Sequence, residues 1–151
     1  MTAHDMRRDE IDAFLRTVGV GVLSLTDGVE TYAIPESFGY DDGTLYFQFG
    51  YGDDSDKRSY LSTTDVATFT AYTVDPARSV VARGPVEPVP DPADDRAAAA
   101  LAGNATIPNV NVSPDTADAD VQFTFYRLDP DELSGRAFGV SGNATAGEPS
   151  V

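Results

Sequence analysis

The chain has 151 residues, 41% of them hydrophobic and 10% aromatic, with no cysteine and no tryptophan and a formal charge of −15. That length fits one domain, the apolar fraction is too high for a disordered chain, and the lack of cysteine excludes disulfides, zinc–thiolate sites, iron–sulfur clusters and a thiol nucleophile. No apolar run approaches the roughly 18 residues a membrane helix needs, the N-terminus lacks a signal-peptide core, and so acidic a surface repels nucleic acid and anionic membranes, so a cytoplasmic protein is expected.

Residues 8–17 place Ile11, Phe14 and Leu15 at i, i+3 and i+4 behind acids in the first turn, which predicts a short amphipathic helix. Val20–Thr26 is a β-branched run ending at Asp27-Gly28, a hairpin signal. Val29–Tyr40 contains Pro35 and suits an edge or bulged strand. After the turn Asp41-Asp42-Gly43, Thr44–Phe49 alternates, with Leu45, Phe47 and Phe49 on one face. Gly50–Asp56 reads as a loop, and Lys57–Ser62 as one or two helical turns entered from Ser55 or Asp56. Val66–Val74 is a strand, Asp75-Pro76 a turn, and Ser79–Val89 a strand with a bulge at Gly84-Pro85. Asp91–Gly103 carries an alanine run and reads as a helix, while 104–119 is an irregular excursion. Val121–Leu128 and Gly135–Val140 are the last strands, separated by a turn at Pro130–Leu133.

Six or seven strands with hairpin spacing and no βαβ rhythm predict a mainly β domain with flanking helices. Its antiparallel sheet would close into a small barrel to hide its edges. One domain is expected over residues 1–140, with a disordered tail at 141–151. His4 is the sole histidine and lies in a frayed N-terminus by this reading, so no metal site and no Ser-His-Asp triad is expected. Asp53-Asp54-Ser55-Asp56 offers oxygens to calcium but lacks EF-hand spacing, and reads as a solvated loop.

Nine of the ten cations are arginine, and the one lysine is Lys57. An acidic, lysine-poor chain that still patterns as foldable looks like a halophile's cytosolic protein, its self-repulsion screened at molar salt. Lys57 then calls for a reason. A compact ammonium at a helix start, beside exposed backbone N–H groups, is a good anion site, and Ser55 could add a hydroxyl. The alternative is a routine capped helix with Lys57 in solvent.

The order of these motifs resembles the pyridoxamine 5'-phosphate oxidase-like superfamily, the FMN-binding split barrels, with the composition of a haloarchaeal-type member. The residues that carry the resemblance are Pro35, Tyr40, Gly43, Tyr46-Phe47, Lys57, Leu61 and Arg78-Ser79-Val80 with Gly84, and there is a weaker echo at 133–138. It implies a six- to seven-stranded antiparallel split β-barrel binding two flavins at a homodimer interface. Carried over by position, Pro35, Glu36 and Ser37 would lie along the isoalloxazine ring and ribityl chain. Phe47, Gln48 and Phe49 would form the adjoining wall, and Ser55, Lys57 and Arg58 would hold the phosphate. Ser79 and Val80 would reach the flavin from the second subunit.

Departures from the pattern are Asp56, where many members carry a base or glycine, and Phe49, where a polar residue often stands. There is also no C-terminal Arg/His-bearing segment of the kind that grips pyridoxal phosphate, so a true pyridoxamine phosphate oxidase is not expected. The expectation is an FMN-dependent oxidoreductase of unknown small-molecule substrate, with no catalytic acid or base singled out. Alternatives are a flavin carrier or sensor without turnover, a split barrel holding a deazaflavin or a haem (the single histidine disfavours histidine-ligated haem), or an interaction module without cofactor.

Overall fold

The computed structural model describes residues 2–51, 56–90, 94–104 and 122–139. In chain order these form β1 (Ala3–Asp5), α1 (Arg8–Thr17), β2 (Val20–Thr26), β3 (Thr31–Ser37), β4 (Gly39–Asp41), β5 (Thr44–Tyr51) and α2 (Asp56–Thr63). There follow β6 (Ala67–Val74), β7 (Ala77–Gly84), β8 (Val86–Pro88), α3 (Asp94–Asn104), β9 (Gln122–Leu128) and β10 (Glu132–Phe138). Six strands make one sheet in the order β1-β10-β7-β6-β2-β3, four make a second in the order β4-β5-β9-β8, and every pairing is antiparallel. The mainly β reading therefore stands, with ten strands rather than six or seven.

The extra strands have local causes. The run expected as one strand at Val29–Tyr40 breaks at Phe38, whose side chain is fully buried, and its two halves join different sheets. Likewise the run at Ser79–Val89 divides at Pro85, which has no N–H for a ladder, and β8 crosses to the second sheet. The N-terminus is not frayed: Ala3–Asp5 pairs with β10, setting His4 opposite Ala137. Pro35 does sit on an edge strand, since β3 borders only β2. The expected tail at 141–151 and nearly all of the excursion at 104–119 lie outside the described residues.

Between the sheets lies a core in which Phe38 and Phe47 each meet Phe69 edge-on, at 4.9 and 5.3 Å between ring centroids. Alternation on β2 turns Leu23 and Leu25 into that core. On α1 the expected triad Ile11, Phe14 and Leu15 is the buried face. The Arg7 N–H donates to Glu10 Oε1 at 2.8 Å and closes that helix's first turn. Helix α3 packs on the outside of the second sheet through Ala97, against Tyr46 and Val89. Gly39 makes this close approach possible, because a Cβ there would lie 2.4 Å from the Ala100 backbone.

The outer face of the six-stranded sheet is unusual for so acidic a chain. Across the adjacent strands β6, β2 and β3 the only charged residue is Glu36, and its side chain is buried. Val22, Pro35 and Thr70 alternate outward there, while Tyr72 and Val74 are 58% and 79% exposed.

Candidate functional site

Helix α2 is fixed to the barrel at its C-terminal end. Thr64 Oγ1 accepts the Thr26 N–H at 2.9 Å, and Thr63 Oγ1 donates to the Thr26 carbonyl at 3.0 Å. One turn earlier, Tyr60 stacks on Tyr32 of β3, centroids 5.1 Å apart and planes 4° from parallel. Lys57 lies three residues before Tyr60 and so on the same helix face, while Glu36 lies four residues after Tyr32 on the same strand face. The two elements meet a second time there: Lys57 Nζ stands 2.7 Å from Glu36 Oε2, with both side chains only 3% exposed. The Phe49 ring closes the site, its centroid 4.4 Å from the same ammonium.

Lys57 is therefore neither in solvent nor presented to it. Burial pulls its pKa below the ordinary lysine value, and the Glu36 charge opposes that pull. A cation over an aromatic face gains some attraction as well. Apart from the Glu36 carboxylate, Nζ has no hydrogen-bond acceptor among the described residues. A three-donor ammonium is thus held in a dry setting with donor capacity to spare.

Strand alternation sorts the other expected site residues into two groups. Pro35, Ser37 and Ser79 lie on the outer face of the six-stranded sheet, paired with Val22, Val20 and Tyr72. Glu36, Phe47, Phe49 and Val80 point inward and are buried. Consecutive residues of a strand face opposite ways, so Pro35-Glu36-Ser37 cannot all offer side chains to one ligand. Phe47 and Phe49 stack on each other at 5.7 Å within the core; what they could give a ligand is backbone, whereas the intervening Gln48 is exposed. Arg58 is exposed beside buried Lys57, and Ser55 lies outside the described residues, as do Asp53 and Asp54. Glu36 and Phe49 both meet Lys57, and Phe47 stacks on Phe49 behind them.

Two features had no clear signal in the sequence. The Tyr32–Tyr60 stack joins a strand to a helix 28 positions away, and nothing local couples the two residues. A groove of about 440 Å³ between α1 and α3 is lined by Arg16, Tyr40, Asp41, Arg96 and Asn104, and none of the expected site residues reaches it. Among the described residues no three His, Asp or Glu gather as metal ligands, and no helix is long and apolar enough to cross a membrane.

A family model described as Pyridoxamine 5'-phosphate oxidase matches residues 7–137. The chain belongs to this family. Among solved structures, an FAD-binding protein from Mesorhizobium loti is similar at TM-score 0.71 and 20% identity, over 92% of this chain and 100% of that one. The FAD binding protein from Mycobacterium smegmatis follows at TM-score 0.65 and 23% identity, over 89% and 98%. The FAD and heme binding protein of the same organism gives 0.64 and 18%, over 96% and 77%. None of the curated proteins matches the chain. At these identities the likeness is one of fold, and the fold is the antiparallel split β-barrel.

Proposed function

We propose that this chain binds a flavin, FMN, where two copies of it meet, and acts as an oxidoreductase on a small molecule. The observation that carries the reading is the buried Lys57 ammonium with unused donors at the start of α2, in a member of this family. A phosphate dianion is the acceptor such a group suits, so the residues fit the cofactor. A bound flavin supplies the hydride or electron chemistry, and the chain supplies anchoring, orientation and exclusion of water.

The homodimer is supported by the uncharged outer face of β6, β2 and β3. An uncharged face on a chain of net charge −15 is one that a second copy can cover without bringing like charges together. Pro35, Ser37 and Ser79 lie on that face, where a ring held between copies would find them. The acidic surface and near absence of lysine support a halophilic, cytoplasmic setting.

Purification in molar KCl, followed by absorbance and mass spectrometry of the heat-released chromophore, tests the cofactor. FMN is expected. FAD, which the similar proteins are named for, or a deazaflavin would correct its identity. Colourless protein that takes up no added flavin would end the reading. Bleaching by NADH or NADPH and reoxidation by a substrate separates an enzyme from a carrier, and no turnover of pyridoxamine phosphate is expected.

A further inference from the structure

We propose that Glu36 is a specificity-determining residue that competes with the flavin phosphate for Lys57, so that a phosphate-bearing flavin binds only by displacing the Glu36 carboxylate. The inference rests on the proposed flavin reading and concerns the same site. Its basis is an ammonium already engaged. Lys57 Nζ lies 2.7 Å from Glu36 Oε2, and the Phe49 ring occupies the space on another side at 4.4 Å. A dianion approaching that pair meets no net charge. Gathering a second anion around one buried ammonium would leave uncompensated negative charge in a low-dielectric setting, which is strongly unfavourable. The flanking charges do not change this balance, since Asp56 and Arg58 are both exposed and of opposite sign.

Displacement is feasible for two reasons. Glu36 sits on β3, an edge strand whose ladder hydrogen bonds run to β2 alone. Lys57 has a flexible four-carbon stem that can re-aim its ammonium, which an arginine fork in the same place could not do as freely. Glu36 thereby keeps the ammonium paired in the empty protein and lowers the advantage of a phosphorylated flavin over an unphosphorylated one.

The experiment compares FMN with riboflavin, which lacks the phosphate, by fluorescence titration in molar KCl. The proteins are the wild type, Glu36→Gln, Glu36→Val and the double variant Glu36→Leu/Lys57→Met. Removing the competitor should tighten FMN by roughly ten- to a hundredfold, the worth of one charge-assisted hydrogen bond, and leave riboflavin unchanged. The double variant should lose most of the preference for FMN. Loss of the FMN preference in the double variant without tightening in either single variant overturns the competition and spares the phosphate assignment. A double variant that still prefers FMN as the wild type does shows that Lys57 is not the phosphate ligand, and failure of the wild type to bind either flavin ends the flavin reading itself. Should neither single variant fold, the wild type decides: competition holds its preference for FMN below about tenfold, and a preference of about a hundredfold overturns it.

Discussion

Replacing Lys57 by methionine should be among the most damaging single changes in the chain. The substitution keeps the length of the stem and removes the charge, leaving the Glu36 carboxylate, 3% exposed, with no cation at 2.7 Å. Breaking a buried pair by removing one partner costs about 3–5 kcal/mol. At roughly 2–4 °C per kcal/mol for a chain of this size, the melting temperature should fall by about 6–20 °C. The double variant Glu36→Leu/Lys57→Met should recover most of that loss. It replaces both charges with apolar volume, a change that is often neutral or stabilising by about 1–4 kcal/mol. Urea unfolding of the wild type, the single variants Lys57→Met and Glu36→Leu and the double variant, all in molar KCl, completes a cycle whose interaction term isolates the pair. A Lys57→Met protein within about 1 kcal/mol of wild type, or a double variant no better than the worse single one, would refute the buried pair.

Gly39→Ala should destabilise by about 1–3 kcal/mol, because its Cβ would meet the Ala100 backbone at 2.4 Å, whereas Gly103→Ala on the same helix meets nothing and should be neutral or slightly stabilising; thermal melts compare the two. The Tyr40 phenol is pushed up to about 12 by burial and by its 2.5 Å hydrogen bond to Asp12. Its folded value therefore exceeds the unfolded 10.0, so this contribution is complete below pH 10.0 and is lost as pH rises from there to about 12, by roughly 2–3 kcal/mol. Tyr40→Phe should flatten that segment of the stability curve measured by urea unfolding, and an unchanged slope would assign the loss elsewhere. Tyr72→Asp places a charge on the outer face of β6 and should shift the proposed dimer to monomer in light scattering, with the far-ultraviolet circular dichroism unchanged.

The sequence made the barrel legible wherever one face of an element is buried and the other is not. Ile11, Phe14 and Leu15 identified α1, and Leu45, Phe47 and Phe49 identified the inner face of β5, because burial imposes the 3.6- and 2-residue periods directly. Where a single residue turns the chain from one sheet to the other, period alone was silent. Phe38 lies inside the run Val29–Tyr40 in sequence, yet in space it stands between the end of β3 and the start of β4. The candidate site was legible as a set of residues and not as a geometry. Lys57 stood out because the surface otherwise uses arginine, and Glu36 stood out only as a neighbour of Pro35. Their contact spans 21 positions and is made by the docking of α2, which the threonine bonds to Thr26 and the Tyr32–Tyr60 stack determine.

The retained lysine and the uncharged sheet face lie side by side. The chain carries 25 acids, yet the outward side chains of β6, β2 and β3 bear no charge. The Glu36–Lys57 pair is buried, and both features lie on or beside β3. Edge strands are usually protected by charge, because an unpaired edge invites another chain. Here the edge is blunted instead by Pro35 and by its one acid, turned inward to a lysine. What a second copy could cover is then the outer face of the sheet. If a second copy covers it, the same strand offers Pro35 and Ser37 to whatever lies between the copies and presents Glu36 to the ammonium behind, so that binding at the interface and the state of the buried pair are coupled through three consecutive residues.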